Sequence, residues 1–92
     1  MDLDDLLEKV MDEGSFMDFA RALQSDKENE TEKEKINPTN PYSHGWNGWE
    51  NSNIEGFLES AIAFTEDSKP WADEPNLWKK FALFLYGGKI YE

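Results

Sequence analysis

His44 is the only histidine in the chain, and there is no cysteine. A zinc site needs four ligands, so His44 could serve only with carboxylates as its companions. It lies between Pro41 and Gly45, in loop-like sequence where an exposed polar residue is the default. No strained nucleophile turn accompanies it, as Ser-His-Asp catalysis would require. The chain holds 20 Asp and Glu residues, so paired carboxylates for glycoside hydrolysis can be drawn in many ways, and none stands out. No stretch has calcium-loop spacing, and Gly87-Gly88 follows a helical pattern where a phosphate loop would precede one. These residues give no reason to assign catalysis, a cofactor or a metal, and the chain reads as a non-enzyme.

The remaining candidate is aromatic. Tyr42, His44, Trp46 and Trp49 mix ring planes with Asn47 and Glu50, and Trp71 sits in a later loop-like stretch. Such a cluster could anchor a protein partner, since Trp and Tyr dominate interface hot spots. It could also stack on a sugar or a base. Alternatively the rings plug the core and bond their indole N–H groups to nearby carbonyls. Trp49, directly ahead of a helix cap, suits the plug; Trp46 and Trp71 fit either role.

The elements that must position these residues are helical. The strongest runs from about Ser52 to Ser68, and the rest of the chain reads as packed against it. Ser52 and Glu55 have capping-box spacing, with Asn51 and Asn53 as alternative caps. Ile54, Phe57, Leu58, Ala61, Ile62 and Thr65 recur every three or four residues and predict one buried face. Gly56 interrupts it, at a cost of about 1 kcal/mol relative to alanine. An earlier helix is predicted over Asp2–Glu13 with a Leu3, Leu6, Leu7, Val10, Met11 stripe and Gly14 as its stop. Ser15 then caps a second helix that buries Phe16, Phe19, Ala20 and Leu23. A fourth helix begins near Glu74-Pro75, carries Leu77, Trp78, Phe81, Ala82, Phe84 and Leu85, and should stop at Gly87-Gly88. No alternating strand pattern or internal repeat is visible.

Between the second and third helices the chain is almost wholly polar. Residues 24–41 contain Glu and Lys without an apolar stripe, then Pro38 and Pro41. The Glu and Lys content could extend the second helix through i,i+4 pairs, but without an apolar anchor the composition predicts a flexible, partly disordered connection. The chain therefore reads as one all-α domain, residues 1–92, of four helices with one long charged connection. The formal net charge is −11, with 12 acids against 5 Lys and Arg in Met1–Gly45 and 8 against 4 in Trp46–Glu92. That balance argues against nucleic acid and anionic membrane, both of which recruit Lys and Arg. It fits a solvated surface, or a face for a basic protein partner. No apolar run reaches the ~20 residues of a membrane span, and Met1-Asp2-Leu3-Asp4-Asp5 lacks the basic start of a secretory signal. A cytoplasmic protein, monomeric or weakly homodimeric, is expected.

Trp49-Glu50-Asn51, Phe57-Leu58-Glu59, Glu66-Asp67, Trp78, Phe81-Ala82, Leu85 and the ending Gly87-Gly88-Lys89-Ile90-Tyr91-Glu92 resemble a family of short, acidic, mostly bacterial uncharacterised proteins. Phe16, Phe19 and Leu23 are similar to that family's first conserved helix. The resemblance covers Ser15–Leu23 and Trp46–Glu92. It implies a shared fold and supplies no activity or site residues. The functional expectation is thus a non-enzymatic protein-interaction module, in its most concrete form an acidic inhibitor or immunity-type protein for a basic partner. The alternative is a small-ligand or carbohydrate binder using the aromatics around Trp46 and Trp49.

Overall fold

The computed structural model describes residues 2–37, 47–51 and 53–91. Among these residues there are five helices and no strands: α1 (Leu3–Lys9), α2 (Glu13–Ile36), α3 (Ile54–Asp67), α4 (Lys69–Asp73) and α5 (Leu77–Ile90). The all-α expectation holds, and the expected count of four helices is corrected to five. None of the helices is long and apolar enough to cross a membrane.

The N-terminal corner is set by competing caps. Asp2 caps α1, its carboxylate accepting from the Asp5 N–H at 2.9 Å. Asp12, not Ser15, caps α2: Asp12 Oδ1 accepts from the Ser15 N–H at 2.8 Å, while Ser15 Oγ accepts from the Asp12 N–H at 3.1 Å. This reciprocal box places Gly14 inside the first turn of α2 and ends α1 at Lys9, four residues before the predicted Glu13. Val10 turns inward at the corner and is buried, whereas Met11 faces solvent. The bonds to Ser15 hold the Asp12 carboxyl below the usual carboxylate range.

The predicted loop around Trp71 is the extra helix. Ser68 Oγ accepts from the Trp71 N–H at 3.2 Å and starts α4, with Pro70 in its first turn. Proline is tolerated there because the first turn's N–H groups lack intrahelical partners. Asn76 then caps α5 by accepting from the Lys79 N–H at 3.1 Å, so Pro75 precedes the cap and does not occupy the first turn.

Helix α5 is the centre of the molecule, in place of α3: α1, α2, α3 and α4 all pack on it. The core joins Val10, Phe19, Leu23, Trp49 and Ala82, ringed by Leu3, Leu6, Leu7, Phe16, Phe57, Trp78, Leu85 and Tyr86. Each large side chain fully buried there contributes about 1.5–3 kcal/mol. Phe16, Trp78 and Phe81 meet as an aromatic trio, with ring centroids 5.6–6.2 Å apart.

Gly87 and Gly88 do not stop α5, which continues to Ile90. They are where α3 comes closest. A Cβ on Gly87 would stand 2.5 Å from Phe64 Cγ, and one on Gly88 would stand 2.5 Å from Phe57 Cε2. The missing side chains make two seats for two phenyl rings, and this tight contact outweighs the helix-stopping tendency of glycine.

Candidate functional site

Tyr42, His44 and Trp46 lie outside the described residues. Trp49 is 7% exposed, a core residue. Its indole N–H donates to Asp26 Oδ2 at 2.8 Å, and its ring stacks on Phe57 with centroids 6.3 Å apart. The Lys27 and Lys89 ammonium groups lie 5.9 and 5.8 Å from the ring centroid, within cation–π range. Trp71 is half-buried elsewhere. Its indole N–H donates to the Lys80 carbonyl at 3.0 Å, and the Lys80 ammonium sits 4.2 Å from its ring centroid. Lys80 and Lys89 are nine residues, or about 13 Å, apart on one helix, so Trp49 and Trp71 do not share a site.

Of the connection expected over residues 24–41, Gln24 to Ile36 continues α2, and residues 38–41 lie outside the described residues. Its anchors are polar. Glu30 is only 4% exposed, and its Oε1 accepts from the backbone N–H groups of both Asn47 (3.0 Å) and Trp49 (3.3 Å). Gly48 between them has φ +82°, a backbone shape that glycine adopts without strain. Asn47 Nδ2 donates to the Asp26 carbonyl at 2.9 Å and to Asn29 Oδ1 at 3.1 Å, and Lys33 Nζ donates to Asn47 Oδ1 at 3.2 Å. Asp26 also pairs with Lys89 Nζ at 2.9 Å, which ties α2 to the end of α5. A helical segment with no apolar stripe of its own is thus held by charge-assisted hydrogen bonds in partly dry surroundings.

A second knot adjoins the first. The Glu50 N–H donates to the Lys89 carbonyl at 2.9 Å. Asn51 Nδ2 donates to Ser60 Oγ (2.8 Å) and to the Gly88 carbonyl (3.1 Å), with the Tyr91 carbonyl at 3.4 Å. Tyr91 packs edge-on against Phe64 and donates its hydroxyl to Asp67 Oδ2 at 2.6 Å. That bond raises the Tyr91 pKa. Tyr86 is pushed up to about 12, first by burial and then by its 2.7 Å bond to Asp4. Both phenols stay protonated at neutral pH and act as donors. Among the described residues, every buried side-chain nitrogen or oxygen has a partner, and no three His, Asp or Glu side chains converge as metal ligands.

Six of the residues carrying the sequence resemblance (Trp49, Asn51, Phe57, Gly88, Lys89, Tyr91) therefore meet in one interlocked knot that fastens α2, α3 and α5. The chain belongs to DUF7660, a family of unknown function. The family model matches residues 12–92, from the cap of α2 onward. Searches of curated proteins and of solved structures returned no match. The DUF7660 span includes the Trp49 knot, α3 and α5, and leaves α1 ahead of it.

Two open features flank the knot. One is a groove of about 670 Å³ beside α2, floored by Leu23, Trp49, Phe57 and Leu85 and edged by Lys27 and Thr31. The other is on α3. The predicted apolar face is divided there: Phe57, Ala61 and Phe64 turn inward, while Ile54, Leu58 and Ile62 are 74%, 44% and 49% exposed. Contact through the two glycines brings α5 so close that it covers a narrow sector of α3, and the apolar sector is wider than that. Glu55, Glu59 and Glu66 are exposed beside this row and make no ion pair or hydrogen bond among the described residues. Of the residues that position Trp49, Lys89 lies in the pattern that carries the resemblance, whereas Glu30 and Asp26 gave no signal in the sequence. Neither did the outward turn of Ile54, Leu58 and Ile62.

Proposed function

We propose that this DUF7660 protein is a non-enzymatic, cytoplasmic protein-interaction module that binds a basic protein, in the manner of an acidic inhibitor or immunity-type protein. The observation that carries this reading is the outward aliphatic row of α3, Ile54-Leu58-Ile62, on a helix that holds four acids and no Lys or Arg. Exposed apolar rows edged by polar groups mark contact surfaces. A net charge of −11 would steer a basic partner toward it and make the encounter salt-sensitive. The knot around Trp49 supports the same reading from the other side, because its polar groups are consumed in holding the fold.

The test is parallel affinity capture from source-cell lysate with the natural protein and with the double variant Leu58→Gln/Ile62→Gln, which changes no charge. One basic protein retained in stoichiometric amount, released by salt and absent from the variant's eluate is the expected result. Identical eluates from the two proteins would overturn it.

The groove beside Trp49 favours a second reading, a small apolar or aromatic ligand, since its volume lies in the range of ligand pockets, ~300–1,000 Å³. Trp49 fluorescence should then shift on titration. An unchanged spectrum across a panel of indoles, sugars and nucleosides would exclude those ligands.

A further inference from the structure

Resting on the interaction reading, we infer that the outer face of α3 takes a single amphipathic helix of the partner, with its cations confined to one edge. The spacing of the row carries the shape. Ile54, Leu58 and Ile62 follow one another at four-residue intervals, which on a helix makes a continuous ridge about 12 Å long. Such a ridge fits the groove between the side-chain rows of another helix.

The edges of the ridge differ, and this carries the orientation. Residues three and four apart are neighbours on a helix surface. Glu55 stands three before Leu58 and Glu59 three before Ile62, so two carboxylates line one edge, and Glu66, four after Ile62, closes the end of the ridge with a third. On the other edge Ala61 is buried and Thr65 is half-buried, with its hydroxyl donating to the Ala61 carbonyl at 2.8 Å. A partner helix with Lys or Arg along one side of its apolar stripe meets the carboxylates. Rotated the other way, it leaves its cations over Ala61 and Thr65.

The same edge decides against other occupants. A second copy would bring an all-acid helix against an all-acid helix, each on a chain of net charge −11. An anionic membrane meets the same repulsion.

The experiment uses the full chain and three labelled peptides of about 18 residues, five helical turns. All have the same Leu, Lys and Ala content. In the first, Leu recurs at helical spacing with Lys on one edge; in the second, Lys lies on both edges; the third is scrambled. Fluorescence anisotropy gives affinity, and circular dichroism gives the helix gained on binding. The one-edged peptide should bind at least tenfold tighter than the scrambled one and gain helix. Leu58→Gln/Ile62→Gln should remove at least tenfold of that affinity. Glu55→Lys/Glu59→Lys should remove several-fold and flatten the salt dependence. Equal binding of all three peptides, released by salt, would overturn the helical-face inference while leaving a charge-driven interaction module standing. No binding of any peptide, together with identical eluates in the capture experiment, would remove both. Sedimentation showing a dimer that Leu58→Gln/Ile62→Gln dissociates would overturn the inference in favour of a second copy.

Discussion

The knot around Trp49 and the outer row of α3 are opposites built from neighbouring residues. In the knot, polar groups are dry and fully paired: Glu30 is 4% exposed and holds two backbone N–H groups, and Lys89 is pinned to Asp26 at 2.9 Å. On the row, aliphatic groups are wet and unpaired. Phe57 and Leu58 are adjacent in the chain, yet one ring is seated against Gly88 and the other side chain points to water. The burial pattern inverts the usual preference of both residue classes. Buried charge persists only when paired, so the knot's acids and lysines are explained by the fold they close. Nothing within the described residues explains the exposed row, and the proposed interaction reading rests on this difference.

Breaking the knot should cost most. Trp49→Ala removes a stacked ring, an indole donor and the surface under two ammonium groups. The loss expected for a buried aromatic truncated to alanine is about 3–5 kcal/mol, read as a fall in the denaturant midpoint at unchanged slope. Gly88→Val is the steric counterpart. Even a first Cβ would collide with Phe57, so α3 must shift off α5; overpacking of this kind costs about 1–3 kcal/mol. Glu30→Ala leaves two backbone donors without their acceptor, at about 1–3 kcal/mol. Amide exchange should then accelerate in residues 24–36 before it does in α3 or α5. Uniform acceleration would mean that Glu30 does not specifically anchor the second half of α2.

A smaller effect is expected at alkaline pH. Tyr86 has its pKa pushed up to about 12 in the folded chain, above the value near 10 of an unfolded tyrosine. The unfolded state then loses this proton first. Stability held below pH 10 should therefore drain away as pH rises through 10 toward 12. Tyr86→Phe removes the bond to Asp4 but should flatten the alkaline decline. An unchanged slope would show that Tyr86 is not the group responsible.

What the sequence made legible follows from which interactions are local. Helical periodicity located α1, α3, α5 and the start of α2, because an apolar residue every three or four positions is a local pattern. Phe19, Leu23 and Ala82 were identifiable as core for the same reason, whereas Trp49 was suited to a plug only by its place ahead of a helix cap. The second half of α2 reads as solvated chain in the sequence because its anchors are acids bonded to residues 17 to 63 positions away, as Glu30 is to Asn47 and Asp26 is to Lys89. In one dimension such an acid is indistinguishable from a solvated one. Gly87-Gly88 reads as a stop by local propensity, and only the Phe57 and Phe64 rings on another helix reveal its purpose. Asp12 and Ser15 both satisfy the rules for a cap, and in the fold they close one reciprocal box with Asp12 at the cap position. Periodicity predicts the outer row of α3 as core because it measures the width of an apolar sector, and it is silent on how much of that sector a partner covers.

The smallest predicted effect separates the two regions most sharply. Replacing Leu58 and Ile62 with glutamine removes two large aliphatic side chains from a helix that packs on the core. Were these residues core, as the sequence pattern alone implies, the pair would cost several kcal/mol. Their 44% and 49% exposure instead places them among surface positions, where substitutions usually fall within about 0.5 kcal/mol each. For a domain of this size 1 kcal/mol moves Tm by roughly 4–8 °C, so the double variant should melt within about 8 °C of the natural protein. Trp49→Ala should fall well below that. A double variant as unstable as Trp49→Ala would return the row to the core and withdraw the surface on which the interaction reading depends. A stable one that has lost its partner would show that the apolar face of α3 is kept for recognition.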